Sequence, residues 1–311
     1  MVLFAVRRAL SMAAVLLAII VLTYGAARVL EPKLYGGQDV LSGTWRDVVG
    51  VVAHFDFGDA CMIPGCPHIS TVFARTYAVD LWLLVGGLVA GVIGGFAGGV
   101  LCALWPRSLV ARVLDGLAAL AYCTPVYVVG LGLLLLFEPT FGIWHLPLFL
   151  EPGSYAGATE NPWDFFRTML VPWLIVGAPL AGICLRLTTA SILGELDEPY
   201  VRTAVAKGLS RRRVVARHAG RPSHAVVAAL VGTQVRMVVT NMVLVEYVFF
   251  LPGFFVYTKR ALGQDTPRWP PVPDVPSLQA LAVWMAALVL AVSFVSELAL
   301  AWLDPRVRGR A

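Results

Sequence analysis

The stretch LSMAAVLLAIIVLTYGAARVL, Leu10–Leu30, decides how the rest of this chain is read. It carries a single charge, Arg28, and at 1.5 Å per residue a helix of this length matches a hydrocarbon layer about 30 Å thick. Five further blocks of the same character follow, at Val79–Leu104, Gly116–Phe137, Thr168–Leu185, Ala225–Leu251 and Leu278–Trp302. Together they predict an all-α polytopic membrane protein with six transmembrane helices. Composition agrees: 59% of the 311 residues are hydrophobic and 14% charged, against roughly 45–50% and 25% in soluble domains. Mean hydropathy is +0.78. Six spans leave no room for a soluble domain of ordinary size, which excludes a soluble cytoplasmic enzyme. Arg7 and Arg8 precede the first block as they would a secretory signal. Its run of about 20 apolar residues exceeds the roughly 7–15 of a signal core, so an uncleaved anchor is expected. Neither an internal repeat nor a pair of inverted halves is visible, which argues against a secondary transporter.

The net charge of +5 is lopsided between the spans. One set of connecting segments holds Arg7, Arg8, Arg107, Arg112, Arg306, Arg308 and Arg310, with eight more basic residues between Arg186 and His224. That makes 15 of the 24 Lys and Arg residues. Eight lie in the other set (Arg28, Lys33, Arg46, Arg75, Arg167, Lys259, Arg260, Arg268), and Arg236 alone sits inside a span. Positive segments stay in the cytoplasm, so both termini are expected there. Residues 1–70 then form an N-terminal helix and extracytoplasmic loop, and 71–311 a core of five spans with a cytoplasmic loop at 186–224. The outer segment from Thr266 to Pro276 holds five prolines and reads as extended chain leading into the last span.

Little in the chain suggests chemistry of its own. Cys102, Cys123 and Cys184 fall in or beside spans and read as small packing residues. Cys61 and Cys66 flank a Pro64-Gly65 turn in the first outer loop, where an oxidising exterior favours a disulfide over two free thiols. A metal site would need more ligands than His54 and His68 supply. No histidine lies in the middle of a span. Neither a Gly-x-Ser-x-Gly elbow nor a phosphate-binding loop occurs, so no ATP site is visible.

The segment from Arg186 to His224 is the informative one. Asp197-Glu198 can cap a helix, Pro199 suits its first position, and Gly208 is a natural stop. Ser210 can cap a second helix through Arg211–His218. Two short helices broken at a glycine make a rigid knuckle, suited to docking; the plainer reading is a basic loop held against anionic lipid. The run Tyr200–Ala219, YVRTAVAKGLSRRRVVARHA, resembles the coupling loop of ABC-importer permeases of the dipeptide/oligopeptide/nickel family, with Thr203, Ala204, Lys207, Gly208, Leu209, Arg217 and His218 on motif positions. Phe57-Gly58-Asp59, Val245-Glu246-Tyr247-Val248-Phe249 with Pro252-Gly253, and Asp304-Pro305-Arg306 resemble further family elements in the same order. Gly220-Arg221-Pro222, Glu31-Pro32-Lys33 and Thr240-Asn241 depart from the family pattern.

The resemblance implies a type I importer permease fold with a defined set of partners. These are a second permease subunit, two cytoplasmic ATPase subunits and an extracytoplasmic solute-binding protein. ATP and Mg would be bound by the ATPase partners, and the chain itself would hold no cofactor and be no enzyme. Coupling would fall to Tyr200, Arg202, Thr203, Ala204, Lys207, Gly208, Leu209, Arg211, Arg217 and His218, with Ala204, Lys207 and Leu209 on the docking face. The cargo would be a peptide, with nickel, another small solute or a non-transporting scaffold as alternatives. Arg236, Asn241, Glu246 and Glu297 are polar or charged residues within spans. A charge at mid-bilayer depth costs roughly 2.5–3.5 kcal/mol, so such groups face a wet path or a partner. For Arg236 the choices are the path, a pair with Glu297, or a pair with another chain.

Overall fold

A computed structural model describes residues 2–30, 39–61, 63–137, 155–215, 220–263 and 273–303. Among the described residues there is no β-strand, only an isolated antiparallel bridge between Asp59 and His68. The helices are α1 (Val2–Leu30), α2 (Val40–His54), α3 (Ile69–Leu104), α4 (Leu109–Cys123), α5 (Val126–Phe137), α6 (Pro162–Leu196), α7 (Pro199–Ala206), α8 (Arg211–Val214), α9 (Arg221–Val248), α10 (Thr258–Ala261) and α11 (Val275–Leu303). Residues 266–272 of the proline-rich segment lie outside the described residues.

Five helices, α1, α3, α6, α9 and α11, are long and apolar enough to cross a membrane. The sixth candidate is α4 with α5, a pair bent by 110°. The third span expected at Gly116–Phe137 is therefore not one straight helix. Pro125 has no N–H to continue the ladder and holds Thr124 extended (φ −94°, ψ 131°), so the chain turns there. Helix α4 also starts earlier than expected, capped by Ser108, whose hydroxyl accepts the Ala111 N–H at 3.1 Å.

Other helices outrun their apolar blocks. Helix α3 begins at Ile69 rather than Val79, and α6 continues to Leu196, so the loop expected from Arg186 is helical over its first residues. Apolarity marks where lipid begins, whereas helix ends are set by caps and breakers. In the first outer segment, read from sequence as a turn-rich loop, the structure finds the helix α2.

The chain divides into two compact units, with the division falling inside α3 and α11. One comprises Trp82–Leu251 and the chain from Val295 on. Helix α6 is its centre, packing against α9 and α4 and also against α5. It also approaches α3 closely. Gly87, Gly91, Gly95 and Gly99 recur every four residues and so line one face of α3. A Cβ on Gly91 would lie 2.9 Å from the Gly177 carbonyl oxygen, on Gly95 2.6 Å from that of Ala181, and on Gly99 2.7 Å from that of Leu185. Because α3 presents no side chain on this face, the backbone of α6 and its Val176, Leu180, Cys184 and Thr188 side chains pack directly onto the glycines, as small-residue faces of membrane helices allow. The Thr189 hydroxyl donates to the Gly99 carbonyl at 3.2 Å across this seam. Arg186 pairs with Asp115 of α4 at 3.1 Å, and the buried Ser223 of α9 bonds Ser191 of α6 at 3.1 Å.

The other unit comprises Val2–Leu81 and Pro252–Phe294. In it α2 packs on α1 through the buried Arg28, whose guanidinium reaches Asp47 at 2.7 Å. Phe73 meets the rings of Phe55, Phe254 and Trp284 edge-on at 4.8–5.4 Å.

Neighbouring glycines at one depth of α3 give a matched test of the seam. A Cβ on Gly94 meets nothing within 4 Å, whereas one on Gly95 meets backbone. Gly95→Ala lowers stability by about 1–3 kcal/mol through overpacking. Gly94→Ala is neutral or stabilising by up to about 1 kcal/mol through helix propensity. Thermal unfolding of the purified chain in detergent separates them, and equal melting temperatures would remove the close approach as a constraint.

Candidate functional site

The knuckle is built at the end of α6. Pro199 occupies the first position of α7 as expected, but the N-cap Glu198 makes no side-chain bond. The helix ends in a Schellman turn. Gly208 takes φ +83°, its N–H donates to the Val205 carbonyl at 2.9 Å, and the Leu209 N–H reaches back to Ala204 at 3.4 Å. Leu209 then packs with Leu196 against a small core of Val201, Ala204 and Val214. Ala204 is thus inside the knuckle rather than on its docking face, because the turn folds Leu209 back over it. Ser210 stands at the N-cap of α8 without a side-chain bond, and α8 is a single described turn. Arg217 and His218 lie outside the described residues.

Three contacts fix the knuckle to the helices behind it. Val215 is buried with Ala103 of α3 and Ile192 of α6. The Arg211 guanidinium donates to the Ala103 carbonyl at 3.0 Å. Arg212 lies over the Trp105 ring, 5.2 Å from its centre. At the other side the Tyr200 hydroxyl donates to the Glu195 carboxylate. That bond, then desolvation and the charges of Glu195 and Glu198, push the Tyr200 phenol up to about 12. The exposed surface consists of Tyr200, Arg202, Thr203, Val205, Ala206, Lys207, Gly208, Ser210 and Arg213 around the two anchored arginines. Packing decides which residues of the knuckle face outward.

The polar residues expected within the spans differ in their surroundings. On α9, Arg236 is exposed and forms no ion pair among the described residues, so the pairing with Glu297 is not made. It lies on an exposed stripe with Thr233, Thr240, Leu244 and Tyr247. Glu246 is completely buried, Glu297 is half-buried, and the amide nitrogen of Asn241 is buried without a partner among the described residues.

Sequence reading missed Asp80, which fell at the very edge of the apolar block beginning at Val79. The helix starts at Ile69, so Asp80 lies more than two turns inside α3 and is completely buried. One carboxylate oxygen accepts the Phe254 backbone N–H at 2.8 Å, the other the Trp284 indole N–H at 2.6 Å. It ties the segment after α9 and the helix α11 to α3. A buried carboxylate repays its desolvation only through such bonds.

In the hairpin that follows α2, Cys61 and Cys66 are free thiols, hydrogen-bonded to one another and not joined as a disulfide. The turn that brings them together uses left-handed Gly65 (φ +88°) and Cys66 (φ +43°). That bond, with desolvation and the negative charges of Cys66, Asp274 and Asp59, pushes the Cys61 thiol up to about 11. Beneath it, His68 bridges Asp56 at 2.9 Å and Ser70 at 2.6 Å.

Five or six segments long and apolar enough to cross a membrane, one unit packed around α6, and a basic knuckle at the end of α6 define a multi-pass membrane protein; among the described residues no cluster of metal-ligating side chains occurs. Comparison places it within that class. Residues 95–309 match the family described as the binding-protein-dependent transport system inner membrane component, and the chain belongs to that family. It is 31% identical over 260 residues to the oligopeptide transport system permease protein OppB of Mycobacterium tuberculosis, covering 81% of this chain and 76% of that one. It is 26% identical over 254 residues to the dipeptide transport system permease protein DppB of Bacillus subtilis (82% and 75%). It is also 28% identical over 253 residues to the glutathione transport system permease protein GsiC of Escherichia coli (81% and 75%).

The Asp80 clamp can be weighed directly. Asp80→Ala leaves two donors without their acceptor, each at about 1–3 kcal/mol, so stability falls by roughly 2–5 kcal/mol. Trp284→Phe removes one bond and falls less. Unfolding of the detergent-solubilised chain measures both, and an unperturbed Asp80→Ala would show that the clamp contributes nothing.

Proposed function

We propose that this chain is a permease subunit of an ATP-driven importer of peptides, which forms part of the path and couples it to cytoplasmic ATPase subunits through the α7–α8 knuckle. The observation that carries the coupling is the Schellman turn at Gly208, which sets two short helices at a fixed angle and anchors them to α3 and α6. Family membership supports transport, and the names of the three relatives support a peptide or peptide-like cargo. The distribution of Lys and Arg supports cytoplasmic termini and knuckle in a prokaryotic inner or plasma membrane.

In this reading the partners are a second permease subunit, two cytoplasmic ATPase subunits and an extracytoplasmic solute-binding protein. ATP and Mg belong to the ATPase partners, and this chain is not itself an enzyme. When the ATPase pair closes on ATP, a rigid knuckle passes the displacement to the ends of α3 and α6. These helices cannot slide independently, because their backbones touch. The exposed α9 stripe with Arg236 faces the path or the second permease, whereas Glu246 is sealed inside the chain and lines neither.

The test of coupling is Gly208→Val. A Cβ there meets nothing within 4 Å, so the cost is purely conformational, about 1–3 kcal/mol for a β-branched residue at positive φ. The substitution shifts the angle between α7 and α8 without removing a charge. In the reconstituted complex, Gly208→Val inserts normally but loses substrate-stimulated ATP hydrolysis and uptake. Arg202→Gln with Arg213→Gln, which removes two exposed charges and no anchor, is the control. Full coupled transport in Gly208→Val with failure of the charge variant would replace coupling with lipid binding by a basic loop.

The same orientation puts the Cys61–Cys66 hairpin outside the cell. There the pair closes into a disulfide, passing two electrons and two protons to an exterior disulfide oxidant. Alkylation of the intact chain in cells reports it: both thiols label only after reduction, and full labelling without reductant contradicts closure.

A further inference from the structure

Helix α2 carries more apolar surface than its contact with α1 uses. Thr44, Val48 and Val51 are buried, while Leu41, Trp45, Val49 and Val52 are 81, 66, 40 and 62% exposed. At about 100° per residue these four fall within an arc of about 80° beside the buried face. Ser42, Arg46, Asp47 and His54 occupy the opposite side. The helix therefore has one wide apolar face, half of it covered by α1 and half uncovered, and one polar face.

Its depth is fixed by α1. The Arg28–Asp47 pair joins α2 to the last turn of the first span, and Gly25 lies against Thr44. This is the level at which α1 leaves the hydrocarbon. There α1 itself exposes Leu22, Val29 and Leu30 at 63–77%, and little of the span is covered by the rest of the chain. Between the two helices runs a crevice of about 640 Å³, walled by Val21, Leu22, Val29 and Leu30 on one side and Leu41 and Trp45 on the other. The uncovered arc of α2, this crevice and the bare side of α1 form one continuous apolar surface.

We propose that α2 is an interfacial helix, lying in the headgroup–acyl boundary on its Leu41–Trp45–Val49–Val52 arc, with a lipid acyl chain in the crevice against α1. Lipid is favoured over a protein partner because the surface continues that of a membrane span without a break. On the Leu41–Trp45–Val49–Val52 arc the one polar group is the Trp45 indole, and such rings anchor helices at this level. A helix of this type sits about 5–10 Å into the boundary. Seated so, α2 fixes the tilt of α1 and the membrane level of the Cys61–Cys66 hairpin that follows. The inference does not depend on the coupling role of the knuckle.

Trp45 reports on the proposal from within the full chain. Its emission is isolated from that of the other tryptophans by subtracting Trp45→Phe, with Trp45→Tyr as an independent subtraction should the first variant be poorly produced. The chain is reconstituted in phosphatidylcholine and in phosphatidylcholine brominated near the headgroup end of its acyl chains. The Trp45 component loses about half or more of its intensity in the brominated lipid, as an interfacial anchor should, and resists aqueous iodide. Quenching by iodide and not by bromine would place α2 in water and overturn the proposal. Bromine quenching that disappears on assembly of the whole transporter would mean that a protein partner covers the arc, and would overturn it equally.

Discussion

The contact on which the rest of the structure depends is the one between the backbones of α3 and α6. Side chains would hold two membrane helices 8–10 Å apart, and lipid offers no hydrophobic drive to bring them closer. Glycines at 87, 91, 95 and 99 remove the obstacle along the length of α3, and Gly177 and Ala181 answer from α6. Once the pair is locked, α6 can receive α4 on one side and α9 on another, as Gly182 against Ala118 and Ser191 against Ser223 record. Any larger residue in the seam pushes apart the helices that everything else uses as a frame.

That frame also explains how a knuckle of two short helices can be stiff. An eight-residue helix has no stability of its own in water. Helix α7 is held because Val201 and Ala204 share a core with Val214, and because Val215 enters a second core between Ala103 and Ile192, at the ends of the locked pair. In the proposed mechanism, force applied to the knuckle therefore reaches α3 and α6 together. Nearer the start of α3, Asp80 holds Phe254 and Trp284, so the same helix also organises contacts within the other unit.

Much of this was legible in the sequence, for reasons that can be named. Spans are a matter of composition over some 20 residues, and long apolar runs show them plainly. The Gly208 break was legible because a left-handed residue between two helix-competent runs leaves few other choices. What escaped was set by three-dimensional context. Pro125 inside an apolar block turns a span, but whether it kinks or breaks the helix depends on what surrounds it. Asp80 looked like an edge residue because hydropathy, unlike helix caps, does not say where a helix begins. Ala204 shares its motif with exposed neighbours, and only the back-folded Leu209 decides that it is buried. The four-residue glycine spacing was present in the sequence and is the signal that would have predicted the α3–α6 seam. Helix α2 was hidden by the turn residues around it, since half of its apolar arc is matched only by α1.

The central claim is that the α7–α8 knuckle meets an ATPase subunit in the assembled transporter. Val205 is 54% exposed on α7 and takes no part in the knuckle core, so a photoreactive side chain can replace it without disturbing the turn at Gly208. Irradiation of the intact complex in its membrane, followed by mass spectrometry of the adducts, reads the contact directly. The account predicts a crosslink to the ATPase partner whose yield changes between the nucleotide-free and ATP-bound complex. Adducts confined to lipid, in both states, would contradict it.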